Sequence, residues 1–341
     1  MTSDASAVRE FAADSLADHD IFRRTIAEHA QPVVVRGAVS HWPVVRAANE
    51  SLEALCAYLG RFASDALAEA FIGDAAIAGR YSYADDLEGF NFERVKVTLP
   101  DALARIGANA AATDERTMYL GSLPTSVFLP GFSAGNALPA VPDSVEPRIW
   151  IGNRSDISCH NDTFDNIACV VTGRRRFTLF PPDAVADLYV GPVDYTMSGR
   201  PISLAAGASA DDPRYPRFAA AAARATRVEL APGDALYLPK LWWHRVEATE
   251  RFNVLVNYWW DEFSAGPDAP YTAMMLAMIA IAERPPEERK AWRAFFDHYV
   301  FRPHGHPLAH VAEDKHGILG PLANGNYGRV RAMVMQLLRG G

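Results

Sequence analysis

Three residues combine types and spacing that suit a metal ion. His160 and Asp162 stand two apart in Ser158-Cys159-His160-Asn161-Asp162-Thr163, and His244 follows 82 residues after Asp162. On an extended strand, side chains at i and i+2 face the same side. The string is therefore expected to present an imidazole and a carboxylate to one point. A third ligand must come from another strand. His244 is best placed, because it opens a strand just after Leu238-Pro239-Lys240-Leu241-Trp242-Trp243, and the long separation suits a barrel in which distant strands become neighbours. Two histidines and one carboxylate on one face leave coordination positions open, as in non-haem Fe(II) oxygenases and unlike a closed structural zinc site. Alone, such a pair has a plain alternative, a hydrogen-bonded surface pair, so the flanking sequence must decide.

The elements that would hold these residues are mostly β. Short apolar or β-branched runs at 148–152, 167–172, 176–180, 226–230, 235–238, 244–248 and 252–260 read as strands. Gly173 followed by three arginines marks a turn between two of them, and Pro232-Gly233-Asp234 marks another. Strands so short and numerous predict a sandwich or barrel. The expected fold is mainly β with flanking helices, built on a double-stranded β-helix (a jelly roll of the cupin type) and followed by a helical region. Three regions are expected: a mixed α/β part over 1–115 packing on the barrel, the barrel itself over 116–262, and helices over 263–341. In the first, 51–59 and 99–106 have helical spacing, with Ser51 and Asp101 as caps, and 32–36 (Pro-Val-Val-Val-Arg) reads as a strand. The segment 183–225 interrupts the barrel as a long insertion, functional or mobile, with a helix over 217–224. At the C-terminal end, 271–283 is apolar nearly all round, and 287–299 and 327–338 are amphipathic. These helices read either as braces for the barrel or as a homodimer interface, since an apolar helix needs a cover.

Composition excludes several classes. Of 341 residues, 33 are Lys or Arg and 41 are Asp or Glu, giving a net charge of −8, which argues against a nucleic-acid backbone as the main partner. The first twenty residues are partly acidic and lack the apolar centre of a secretion signal, and no apolar run is long enough to span a membrane. The three cysteines, Cys56, Cys159 and Cys169, are odd in number and lack metal-binding spacing. A cytoplasmic protein is the expectation.

Taken together, the string from His160 to Pro182, the string Pro232-Gly233-Asp234-Ala235-Leu236-Tyr237-Leu238-Pro239, and Trp242-Trp243-His244 resemble the cupin-like JmjC family, in a pattern nearest its asparaginyl hydroxylases. The resemblance is strongest over 116–262 and touches 32–43. It implies an Fe(II)- and 2-oxoglutarate-dependent oxygenase that hydroxylates a C–H bond, with a protein or peptide side chain as substrate. It makes His160, Asp162 and His244 the iron ligands and places Tyr119, Asn166, Arg175 and Asn257 around the 2-oxoglutarate co-substrate. Trp259 falls where an aromatic residue closes the barrel.

Two positions depart from the family's pattern. Arg175 stands where a lysine usually binds the far carboxylate of 2-oxoglutarate; arginine can do so bidentately. Ile157 stands where a threonine is expected, so one hydrogen bond to the co-substrate is missing unless Ser158 or another hydroxyl replaces it. These departures motivate an alternative, a non-catalytic cupin-like protein that binds metal and a small ligand. A cupin enzyme without 2-oxoglutarate would need more histidines than the barrel carries. Trp242, Trp243, Trp259 and Trp260 are expected to wall the pocket. His304, His306, His310 and His316 form a histidine-rich stretch without carboxylates at metal-binding spacing, which reads as structural or interfacial.

Overall fold

A computed structural model of the chain describes residues 8–84, 89–112, 116–194, 196, 199–264 and 266–340. The chain divides into two compact units, Met1–Glu262 and Phe263–Gly341. In the first, the strands are β1 (Arg9–Phe11), β2 (Val33–Val35), β3 (Leu67–Gly73), β4 (Arg80–Tyr81), β5 (Glu93–Thr98), β6 (Thr117–Pro124), β7 (Pro147–Gly152), β8 (Ser155–His160), β9 (Asp165–Thr172), β10 (Arg175–Phe180), β11 (Thr226–Leu230), β12 (Ala235–Leu238), β13 (Trp243–Ala248) and β14 (Asn253–Trp260).

Strands β7 to β14 make the jelly roll. One layer runs β12-β9-β14-β7 and the other β11-β10-β13-β8, with every pairing inside these layers antiparallel. The expected double-stranded β-helix core with flanking helices is therefore present. The first layer is widened by β1 and β2 on one edge and by β6, β3 and β5 on the other, while β4 extends the second. The strands over 67–73, 93–98 and 117–124 were not foreseen: charge interrupts the first two, as in Glu93-Arg94-Val95-Lys96-Val97, and the third, Thr-Met-Tyr-Leu-Gly-Ser-Leu-Pro, holds a glycine and no clear alternation.

Burial explains why β9 is an unbroken apolar run. Ala168 and Val170 face the interior between the layers, with Phe177, Leu179, Val228 and Leu236. Ile167, Cys169 and Val171 face the other way, into a cluster with Val44, Val45, Leu55 and Leu59. Those last four belong to α2 (Pro43–Glu50) and α3 (Leu52–Gly60), which follow α1 (His19–Thr25). A strand covered on both faces has no polar side to alternate. Ser51 caps α3 as expected, its Oγ accepting the Ala54 N–H at 3.0 Å. For α4 (Leu99–Ala111) the cap is Thr98, which accepts the Asp101 N–H at 3.3 Å. Asp101 belongs to the first turn, where a carboxylate meets the positive helix end. The αL turn between β9 and β10 needs Gly173: its φ is +76°, and a Cβ there would lie 2.2 Å from Asn253 Oδ1.

The 183–225 insertion is anchored. Its Ile202 bridges to His160, and the Ser203 N–H donates to the Cys159 carbonyl at 2.7 Å. Leu188, Ala205 and Phe218 pack with Phe180 and Trp243; α5 (Thr125–Phe128) precedes this region and α6 (Phe218–Ala223) supplies its expected helix. Residues 195, 197 and 198 lie outside the described ones.

The second unit contains α7 (Pro270–Ile281), α8 (Pro286–Phe296) and α9 (Asn326–Arg339). None of these helices buries a residue, and Ile279 is 82% exposed. His306 and His316 stack at 4.4 Å, and their Nε2 atoms bond the Leu319 and Val311 carbonyls. Those nitrogens therefore serve the fold of the loop. No helix among the described residues is long and apolar enough to cross a membrane.

Candidate metal centre

His160 ends β8 and His244 is the second residue of β13, and the register pairs them directly. Their rings lie 4.4 Å apart. Asp162 is not on the strand with His160, as its spacing had suggested. It occupies the turn between β8 and β9, where the chain has left the ladder, and its carboxylate is 3.7 Å from His244 Nε2. The turn, not the pleat, brings it to the same point. One ligand atom from each of the three falls within 4.8 Å of the others.

Hydrogen bonds select the free nitrogen on each ring. His160 Nδ1 meets the Ser158 carbonyl at 2.8 Å and His244 Nδ1 meets the Trp242 carbonyl at 3.0 Å. A carbonyl only accepts, so Nδ1 carries the proton and the Nε2 lone pair faces the site. Burial, reinforced by His160 and opposed by Asp162, pushes the His244 pKa down to about 4, so that ring is neutral at pH 7. Asp162 Oδ2 is buried with no hydrogen-bond partner. An orphaned carboxylate oxygen facing two imidazole lone pairs is the donor set a divalent ion satisfies, so the residues fit the expected iron.

These ligands open on a cavity of about 380 Å3. Tyr119, Asn166, Arg175 and Asn257 all line it, as does Ile157. Asn257 Nδ2 donates to Asn166 Oδ1 at 3.1 Å, across the β14–β9 pair. Arg175 is 3% exposed, and its Nε–H has no partner. Along β10 it alternates inward with Phe177, while Arg176 points to solvent. Burial pushes the Arg175 guanidinium down to about 10, an effect the Tyr119 phenol opposes. Burial also drives the Tyr119 hydroxyl far above its usual pKa despite the arginine, which keeps it a proton donor. Among the described residues no carboxylate pairs with this buried cation, and a cation so placed in a cavity suits an anion.

One open alternative closes here, and one expectation needs correction. Ser158 does not replace the absent threonine: its hydroxyl donates to the Tyr81 carbonyl at 2.9 Å, outside the cavity. Strand alternation sends it away from the side Ile157 occupies. Of the four tryptophans expected to wall the pocket, only Trp259 lines it. Trp260 turns outward onto Phe22, and Trp243 packs with the insertion. Trp150, which sequence reasoning missed, lines the cavity, donating to Asn257 Oδ1 at 2.6 Å and packing edge-on to Trp259 at 5.6 Å. The inward alternation of Arg148, Trp150 and Gly152 in β7 was the available clue. Glu69 and Arg94, paired at 3.0 Å, and Arg200 and Ile202 of the insertion also reach the cavity.

The sequence profile described as a cupin-like domain matches residues 19–266. The chain belongs to the cupin-like family. The JmjC resemblance carried by the motifs is borne out among curated relatives. Human HSPB1-associated protein 1 is 33% identical over 152 residues, covering 43% of this chain and 30% of that protein. The human bifunctional peptidase and (3S)-lysyl hydroxylase JMJD7 is 27% identical over 262 residues, 68% of this chain and 77% of that one. Arabidopsis thaliana lysine-specific demethylase JMJ31 is 34% identical over 148 residues, 43% of this chain and 25% of its own. The match thus spans under a third of the HSPB1-associated proteins' length. The cupin-like barrel carries the candidate metal centre at the junction of its two layers.

Proposed function

We propose that this cupin-like protein is an Fe(II)- and 2-oxoglutarate-dependent oxygenase that hydroxylates a C–H bond of a protein or peptide side chain. The observation that carries this reading is the shared cavity: a two-histidine, one-carboxylate set opens into a space that also holds the buried Arg175. Two relatives are named for a lysyl hydroxylase and a lysine demethylase activity, which supports oxidation of a protein side chain.

When bound, Fe(II) would let dioxygen act as the oxidant: 2-oxoglutarate would give up two electrons and lose CO2, one oxygen atom would enter succinate and the other the substrate hydroxyl. The chain's own residues bind and orient. His160 and His244 offer Nε2, and Asp162 offers its free carboxylate oxygen. In the β10–β13 register Arg175 lies four strand positions from the level of His244, roughly 13 Å by strand rise. An extended side chain from there leaves room for a five-carbon diacid between guanidinium and metal. The Tyr119 hydroxyl, kept protonated, can donate to the same carboxylate, and Asn166 and Asn257 present amides along the way. Trp150 and Trp259 wall the space and limit water.

The test is succinate release by the purified chain with Fe(II) and 2-oxoglutarate, with and without histone-like or other lysine-rich peptides. No succinate under any condition would overturn the reading. The second reading, binding without turnover, is favoured by the apolar Ile157 and by the engagement of Ser158 elsewhere. An anaerobic titration separates the two, since only a co-substrate chelate on Fe(II) gives a visible charge-transfer band. The exposed apolar helices of the second unit support a homodimer. Light scattering on wild type and Ile279→Glu tests it: dimer becoming monomer is expected, and a monomeric wild type refutes it.

A further inference from the structure

One short turn touches both metal-ligand arms. In residues 239–242 the Trp242 N–H reaches back to the Pro239 carbonyl at 3.3 Å. From this turn Leu241 donates its N–H to the Asp162 carbonyl at 2.7 Å, while Trp242 accepts from His244 Nδ1 at 3.0 Å. The turn is strained: Leu241 has φ +68°, where glycine is usual, and it is 47% exposed, so packing does not hold it there. Lys240 holds it instead. Its ammonium lies 3.1 Å from Asp165 Oδ2 and also pairs with Asp261. Asp165 is buried at the start of β9, where it accepts the Tyr237 hydroxyl from β12 at 2.8 Å and the Glu262 N–H beyond β14 at 3.2 Å. One carboxylate thus ties three adjacent strand ends to the turn.

We propose that the Lys240–Asp165 ion pair is a positioning device for the metal centre. It clamps the 239–242 turn so that Leu241 fixes the Asp162 peptide and Trp242 fixes the His244 ring at the spacing where both can hold one ion. Neither Lys240 nor Asp165 is among the proposed metal ligands; both act through the turn. Such outer partners commonly change metal affinity 10- to 100-fold. The inference rests on the metal-site reading above.

Co(II) titration of the full chain tests it, read as affinity and as the visible ligand-field spectrum, beside the unfolding midpoint of the metal-free protein. Lys240→Met is expected to weaken Co(II) binding about 10- to 100-fold and to alter the spectrum while the metal-free protein still unfolds cooperatively. Lys240→Arg is expected to restore most of both. If the stranded Asp165 carboxylate prevents folding, Lys240→Met/Asp165→Asn removes the buried charge and takes the same measurements. Wild-type affinity and spectrum in the folded variant overturn the inference alone. A wild-type chain that binds no Co(II) overturns the metal-site reading and this inference with it.

Discussion

Replacing Arg175 by methionine separates what the residue does for the fold from what it does for the ligand. The guanidinium is 3% exposed, its Nε–H is unpartnered, and burial pushes its pKa down to about 10 from 12.5. The folded state thus disfavours the charged form. Below pH 10 both folded and unfolded chains carry the proton, so the penalty is fully present at pH 7 and is relieved only as pH rises between the two values. At 1.36 kcal/mol per pKa unit it is roughly 3 kcal/mol. Methionine keeps much of the volume and removes the charge, so the metal-free, ligand-free variant should be more stable by about 1–3 kcal/mol. For a unit of this size that raises the melting midpoint by about 2–4 °C per kcal/mol. Ligand response should go the other way. At a hundredfold excess over Kd, 2-oxoglutarate stabilises wild type by about 2.7 kcal/mol. Losing a charge-assisted bond of about 1.5–3 kcal/mol should erase most of that gain. Thermal unfolding with Mn(II), with and without 2-oxoglutarate, reads both effects. A variant less stable than wild type without ligand, or one that keeps the full ligand shift, would refute the reasoning.

Other substitutions probe the remaining parts. Asp162→Asn should abolish measurable Fe(II) or Co(II) binding while leaving metal-free stability within about 0.5 kcal/mol, because Oδ2 has no hydrogen bond to lose; calorimetric titration and urea unfolding check the two halves. The metal-free fold should lose stability as pH falls from 6.5 through about 4, because folded His244 binds its proton less readily than the unfolded chain does. The His244 contribution is about 3 kcal/mol at most, and urea midpoints at pH 7 and pH 4 should converge between wild type and His244→Gln. Trp150→Phe removes the donor to Asn257 Oδ1 and should raise the 2-oxoglutarate KM about 5- to 30-fold, matching about 1–2 kcal/mol, with unchanged Co(II) affinity.

Much of this protein can be read along the chain. The strands β7 and β9 to β14 follow from local alternation and turn residues, because pleat and glycine conformations are short-range physics. The ligand types and their order in the chain were likewise legible in His160, Asp162 and His244. Their geometry was not. The register of β13 on β8 sets His244 beside His160, and a turn rather than a pleat delivers Asp162. The same limit applies to Arg174, Arg175 and Arg176, which are chemically alike along the chain. Only the closed second layer makes the middle one a buried cation, since which face of β10 is inside depends on strands from 226 to 248. Trp150 was missed, and the side that Ser158 faces was left open, for that reason. The Lys240–Asp165 clamp lies further still from local reading, joining residues 75 apart through a strained turn. Local sequence determined most strands of the jelly roll, its glycine turns and the inventory of ligands; tertiary packing alone decided which polar groups lost their water, because burial belongs to the assembled barrel and to no segment of it.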